Sequence, residues 1–188
     1  VTPQEVFLTV LESYPCRTEP SVYVRLYMAM PKAEKLELIV QKATELGAVE
    51  IVPVLTQRCV SRPEQKQFAK KRERLAKIAL EAAKQSGRGI VPTVSDIISL
   101  ECCIEKMRAM DLGLVCYEKG GKSLGKFRYS PGDSVGVLIG SEGGFSEEEI
   151  ALCEQNGIKK IWLGERILRC ETAPISAISI IMHLSGNM

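Results

Sequence analysis

Two stretches decide the fold: Ile139-Gly140-Ser141-Glu142-Gly143-Gly144-Phe145 and Leu163-Gly164-Glu165-Arg166-Ile167-Leu168-Arg169-Cys170-Glu171-Thr172-Ala173-Pro174. Each sets a glycine-bearing turn after an apolar run, and each precedes a helix start signal. Val135 to Ile139 reads as a buried strand, as does Ile158 to Leu163. Ser146 and Glu149 have the spacing of a capping box, which predicts a helix over 146–155. Thr172 reads as the cap of a second helix running to Leu184, with Pro174 tolerated in its first turn. Strands alternating with helices predict an α/β fold with a mostly parallel sheet flanked by helices. Open sheets of this kind bind ligands outside the carboxyl ends of their strands.

The pattern extends toward the N-terminus. Residues 1–20 read as a short strand and a turn, and Ser21 to Met30 as a strand with alternating character. A helix is expected from Ala33 to Gly47, then a strand over Glu50 to Leu55, whose Pro53 suggests an edge or an end. A long helix is expected from Pro63 to Ser86, with Phe68, Leu75, Ile78, Ala79 and Ala82 as its core stripe. Ile90-Val91 and Leu112 to Cys116 read as strands, and Leu100 to Met110 as a helix. Gly120 to Gly125 reads as a flexible loop without phosphate-loop spacing.

Hydrophobic residues make up 45% and charged residues 26% of the 188, the balance of a soluble globular domain. No run is long enough to cross a bilayer, so no membrane partner is expected. No signal peptide is visible at Val1-Thr2-Pro3-Gln4, and the missing initiator methionine reads as a fragment. Seven cysteines without metal-ligand spacing read as reduced thiols of a cytoplasmic protein. A single histidine, His183, excludes a multi-histidine metal site and reads as a packed side chain. No metal is therefore expected. The net charge is +2, yet seven basic and two acidic residues fall between Arg62 and Lys77. That distribution suggests a local contact with a polyanion.

Gly140, Gly143 and Gly144 bare the backbone at a strand end, where a ligand can approach closely. Ile167-Leu168 between Arg166 and Arg169 suits an adenine pressed between backbone segments. Neither loop holds a phosphate-binding lysine, consistent with a cofactor that has no phosphate. The two loops resemble those of the RsmE family, G-P-E-G-G and L-G-x-R-I-L-R-x-E-T-A, with Ser141 where proline usually stands. Gln41 to Gly47, Arg58, and Glu81 to Arg88 resemble family segments in the same order. The resemblance covers roughly Pro31 to Leu184.

That resemblance implies S-adenosylmethionine-dependent methylation of N3 of a uridine in 16S ribosomal RNA of the small subunit. It implies a SPOUT-type fold with a C-terminal trefoil knot and a homodimer, the latter in keeping with a last helix apolar almost all round. Family members begin with a PUA-like RNA-binding barrel. Residues 1–30 are expected to be its remnant and 31–188 the methyltransferase domain. The expected cofactor contacts are Ile139, Gly140, Glu142, Gly143, Gly144, Leu163, Gly164, Ile167, Leu168, Arg169, Thr172 and Ala173. Arg169, Glu142 and Arg166 are the catalytic candidates, to stabilise a uracil anion or take its proton. Cys170 is a poor nucleophile candidate, since attack by a nitrogen needs no covalent step. Arg58, Lys70, Arg74, Lys77 and Arg88 are the RNA-binding candidates. Two alternatives remain: a non-catalytic RNA- or ribosome-binding protein on the same fold, and a knotted methyltransferase acting on another RNA position.

Overall fold

The computed structural model describes residues 5–14, 16–32 and 34–188. Val1 to Gln4, on which the reading of the chain start rests, and Ala33, the expected helix start, lie outside them. Among the described residues seven strands form one sheet, and every strand pairing in it is parallel. They are β1 (Tyr23–Ala29), β2 (Glu50–Leu55), β3 (Thr93–Val94), β4 (Ile98–Ser99), β5 (Leu112–Cys116), β6 (Ser134–Ile139) and β7 (Lys159–Ile161). The order is β3-β2-β1-β6-β5-β7, with β4 paired to β2 beyond β3.

Among the described residues five α-helices cover both faces. One face carries α1 (Lys35–Glu45), α2 (Gln65–Gln85) and α5 (Thr172–Leu184), and the other α3 (Leu100–Arg108) and α4 (Glu147–Gln155). Leu26 and Met28 of β1 pack with Leu36, Leu75 and Ile178, while Tyr27 packs with Met107, Leu138 and Ile150 on the opposite face. Alternation on β1 therefore separates two buried faces, as expected of a parallel sheet covered on both sides. The capping box forms: Ser146 Oγ accepts from Glu149 N, and Glu149 accepts from Ser146 N.

Several expectations are corrected. β1 lies between β2 and β6, so residues 23–29 belong to the sheet, and the domain boundary expected after residue 30 does not fall there. The strand expected in residues 1–20 is absent among the described residues 5–14 and 16–20, because no neighbouring strand is there to accept its ladder. Val91 lies outside any strand, and β3 begins at Thr93. Pro53 is not at an edge of the sheet. Ile51 O accepts from Ser95 N, so position 53 faces the same side, where the ladder is interrupted between Val94 and Ile98. A residue without an N–H is harmless in that gap. Glu171, not Thr172, stands at the N-cap of α5 and makes no side-chain cap bond. His183 is exposed.

The glycine loop 120–125 is held rather than free. Lys122 N donates to Lys160 O at 2.9 Å, and Trp162 N donates to Lys122 O at 3.1 Å. A Cβ on Gly121 would lie 2.7 Å from the Ile161 carbonyl carbon. Only glycine permits this crossing. A short 3-10 turn, Leu124–Lys126, follows, and Leu124 is buried in the core that also holds α5. No helix among the described residues is long and apolar enough to cross a membrane.

Arg88, expected to touch RNA, is buried instead, its side chain 2% exposed. It pairs with Glu19 at 2.7 Å and donates to Thr44 O and Ala48 O at the end of α1. The guanidinium thus caps α1 and ties the segment before β1 to it. Burial pushes the Glu19 carboxyl up, but the Arg88 contact and the Ile90 N–H outweigh it and leave it below the usual range. Arg88→Met should cost about 3–5 kcal/mol, the cost of leaving a buried charge unpaired, measured by urea unfolding. The Glu19 contribution is present at neutral pH and is lost as pH falls through its lowered value. The variant should therefore lose stability less steeply on acidification than the wild type.

Candidate functional site

The carboxyl ends of β5, β6 and β7 surround a cavity of about 490 Å³. Its wall consists of Cys116–Glu118 after β5, Ile139–Phe145 after β6 and Trp162–Cys170 after β7, with Ala173 of α5 and Lys35 of α1. The parallel sheet brings these ends together because β6 and β7 are both neighbours of β5.

The first glycine loop is shaped by close packing. Gly144 takes a φ of +63°, and Gly144 N donates to Ser141 O at 3.0 Å. A Cβ on Gly143 would lie 2.9 Å from Arg58 Cβ and 3.0 Å from Arg58 O. Arg58 Nη1 also donates to Gly143 O at 3.1 Å. Arg58, an RNA-binding candidate, therefore backs the glycine loop. Ser141 Oγ is buried without a hydrogen-bond partner among the described residues.

Of the expected cofactor contacts, all but Thr172 line the cavity. Thr172, exposed on the first turn of α5, does not line it. Arg166 and Arg169 line the cavity and are exposed, and Ile167 is 84% exposed at its mouth. Among the described residues no ion pair joins Arg169 to Glu142 or Glu171. Lys35 takes that place, with its Nζ 3.0 Å from Glu142 Oε1 and 3.1 Å from Glu171 Oε2. Burial pushes the Glu142 carboxyl up, yet backbone contacts and Lys35 hold it below the ordinary range. Its two carboxylates raise the Lys35 ammonium above its usual value. Glu142 is consequently a poor proton acceptor and a good anchor.

Sequence reasoning missed Lys35, Tyr117, Glu118 and Trp162. Trp162, the single tryptophan, and the Tyr117-Glu118 pair follow strands directly, so strand ends were the usable signal. Lys35 lies about a hundred residues upstream, and nothing local marks it. Lys70, Arg74 and Lys77 are exposed on α2, but Arg74 is paired with Glu37 at 2.8 Å. Among the described residues no group of three His, Cys, Asp or Glu could hold a metal ion.

This geometry, a doubly covered parallel sheet with a glycine-walled cavity at three strand ends, agrees with the comparisons. Residues 18–182 match the family model described as an RNA methyltransferase domain. A Bacillus subtilis protein named ribosomal RNA small subunit methyltransferase E is 41% identical over 170 residues, 85% of this chain and 66% of that protein. The Mesomycoplasma hyopneumoniae protein of that name is 32% identical over 88% of this chain and 72% of its own. The crystal structure of a Neisseria gonorrhoeae protein of that name, bound to S-adenosyl methionine, superposes with a TM-score of 0.81. It is 32% identical and covers 89% of this chain and 68% of its own. The chain belongs to the ribosomal RNA small subunit methyltransferase E family. It spans about two thirds of the length of the relatives it matches.

Cys170 lies within the second loop, 6% exposed. Burial, then its hydrogen bond to Glu171, pushes its thiol up to about 12 against the pull of Lys35. A thiol held protonated is not a nucleophile at neutral pH. Cys16 is exposed, and hydrogen bonds to Thr18 lower its value. Alkylation by iodoacetamide at pH 8, mapped by peptide mass, should modify Cys16 and Cys102 while sparing Cys170. Labelling of Cys170 as fast as Cys16 would restore the covalent role.

Proposed function

We propose that the cavity binds S-adenosylmethionine and that the protein methylates N3 of a uridine in 16S ribosomal RNA. The observation that carries this reading is the convergence of both glycine loops on one cavity at three parallel strand ends. Its volume of about 490 Å³ lies in the range of small-molecule sites. The bare backbone at Gly140 and Gly143 and the apolar pair Ile167-Leu168 suit a nucleoside without phosphate. When bound, the cofactor supplies an electrophilic methyl group on a sulfonium.

The residues of the chain then divide their tasks. Ile139 to Gly144, Leu163, Gly164, Leu168 and Ala173 shape the pocket, and Ile167 covers its mouth. Arg169, exposed on the cavity wall, supplies the positive charge that favours a uracil anion as its N3 proton leaves. Arg166 stands beside it as the second cation facing RNA. Glu142, engaged by Lys35, anchors the loop and is left out of proton transfer. Lys70, Arg74 and Lys77 contact RNA phosphate, and Arg58 links that basic segment to the pocket.

The resemblance also implies three further assignments. The chain after β7 passes beneath the segment 117–132 to form a trefoil knot, in keeping with the tight crossing at Gly121. The residues before β1, with exposed Phe7, Leu8, Val10 and Leu11, are the remnant of the RNA-binding barrel. Two copies pair through α5, where Ile180 and Leu184 are 38% and 41% exposed; sedimentation measures that state, and a stable monomer at micromolar concentration removes it. A substrate in the small ribosomal subunit places the work in the cytoplasm.

Calorimetry with S-adenosylhomocysteine tests the pocket. Gly143→Val should abolish binding, since its side chain collides with Arg58 and displaces the loop, while circular dichroism stays folded. Unchanged affinity in the folded variant would exclude this site. Arg169→Ala should leave cofactor affinity within a few-fold and lower turnover on small-subunit particles by about a hundredfold or more. Normal turnover at saturating cofactor would exclude the electrostatic role and leave Arg169 a loop residue.

A further inference from the structure

Lys35 is the first residue of α1, far in sequence from both loops of the cavity. Its side chain is 29% exposed and reaches across the cavity wall. The ammonium has three hydrogens and meets three acceptors: Glu142 Oε1 at 3.0 Å, Glu171 Oε2 at 3.1 Å and Cys170 Sγ at 3.7 Å. Its donor capacity is fully used. The carboxylate of Glu142 also accepts from the Lys32 N–H, at 3.2 and 3.3 Å to its two oxygens. Glu171 is fixed in turn, since its Oε2 accepts from the Cys170 thiol at 3.3 Å.

These contacts join segments that the sheet leaves apart. Glu142 follows β6 and Glu171 follows β7, and β5 lies between those strands. Among the described residues no hydrogen bond or ion pair runs directly from the glycine loop 140–145 to the loop 163–171. Among the described residues it is Lys35 that bridges them through ion pairs, from a helix whose Leu36 and Ile39 are fully buried in the core. Ile167 and Leu168, which line the cavity, stand four and three residues before Glu171.

We propose that Lys35 is a positioning residue that sets the spacing between the two cofactor loops. This proposal rests on reading the cavity as a cofactor pocket. Without the ammonium, Glu142 and Glu171 become two neighbouring like charges, and both loops lose their shared tether. The pocket then widens, and the groups that clamp a nucleoside no longer meet it from both sides. A supporting contact of this kind acts on affinity through geometry. Arginine can contact both carboxylates at once, so it preserves the tether where methionine cannot.

The test is calorimetric titration of the full chain with S-adenosylhomocysteine, using wild type, Lys35→Met, Lys35→Arg and Glu171→Gln, with thermal melting of each. Lys35→Met is expected to weaken binding about tenfold or more. Lys35→Arg should recover most of that loss. Glu171→Gln should weaken binding by less, and the double variant with Lys35→Met should be no weaker than Lys35→Met alone, because both changes cut the same tether. Affinity within twofold of wild type in Lys35→Met overturns the proposal. So does an equal loss in Lys35→Arg and Lys35→Met, or a double variant whose losses multiply, since either marks general destabilisation. Should Lys35→Met fail to melt cooperatively, the Lys35→Arg and Glu171→Gln pair decides it: normal affinity in Glu171→Gln overturns the tether. Absence of binding by the wild type itself overturns the reading of the cavity and this proposal with it.

Discussion

Everything at the cavity depends on the parallel ladder that sets β6 between β1 and β5. β6 pairs with β1 from Tyr23↔Ser134 to Met28↔Ile139 and with β5 from Leu112↔Val135 to Val115↔Leu138. Both registers run to the last residues of β6, so the chain leaves the sheet at Ile139 with no ladder partner ahead. The glycine loop begins there. Because every strand runs the same way, the exits of β5 and β7 lie on the same rim. A single antiparallel strand among the three would send one wall of the cavity to the other end of the sheet.

How much of this was legible depended on how local its cause was. β6, α4 with its capping box, and the two loops are encoded by neighbours in sequence, and they stand where the pattern put them. The same holds for α2, where the apolar stripe at Phe68, Leu75 and Ala79 is buried as its period requires. The failures are non-local. Ser21 to Met30 reads as a strand from its alternation, but alternation cannot say which sheet it joins. Arg88 ends a basic helix and resembles a surface cation, and only the arrival of Glu19 beside it makes it a buried one. His183 lies in an apolar run, yet it falls on the outward side of α5. Lys35 is an ordinary first-turn residue until both loops close around it.

The charges at the cavity also settle roles that residue type leaves open. Glu142, Glu171 and Lys35 form a compact group in which the cation is shared, so neither carboxylate is a free base. Glu118 also lines the wall, and among the described residues it forms no ion pair. Arg166 and Arg169 stay unclaimed by these carboxylates. Arg166 and Arg169 therefore present positive charge at the exposed mouth beside Glu165, while Glu142 and Glu171 are held against Lys35. Exposed cations facing a polyanion raise its local concentration at the site, an effect that salt weakens.

The crossing at Gly121 has a bearing on how a molecule would enter and leave. The segment that follows β5 is hydrogen-bonded to β7 on both sides of Lys122, and at Gly121 the two backbones are in contact with no room for a side chain. These two walls cannot swing apart without breaking several backbone hydrogen bonds together. The glycine loop is backed by Arg58 and is equally confined. The tip at Glu165, Arg166 and Ile167 is exposed and carries none of these backbone hydrogen bonds. A movement of this tip alone would open the cavity without breaking any of those backbone hydrogen bonds.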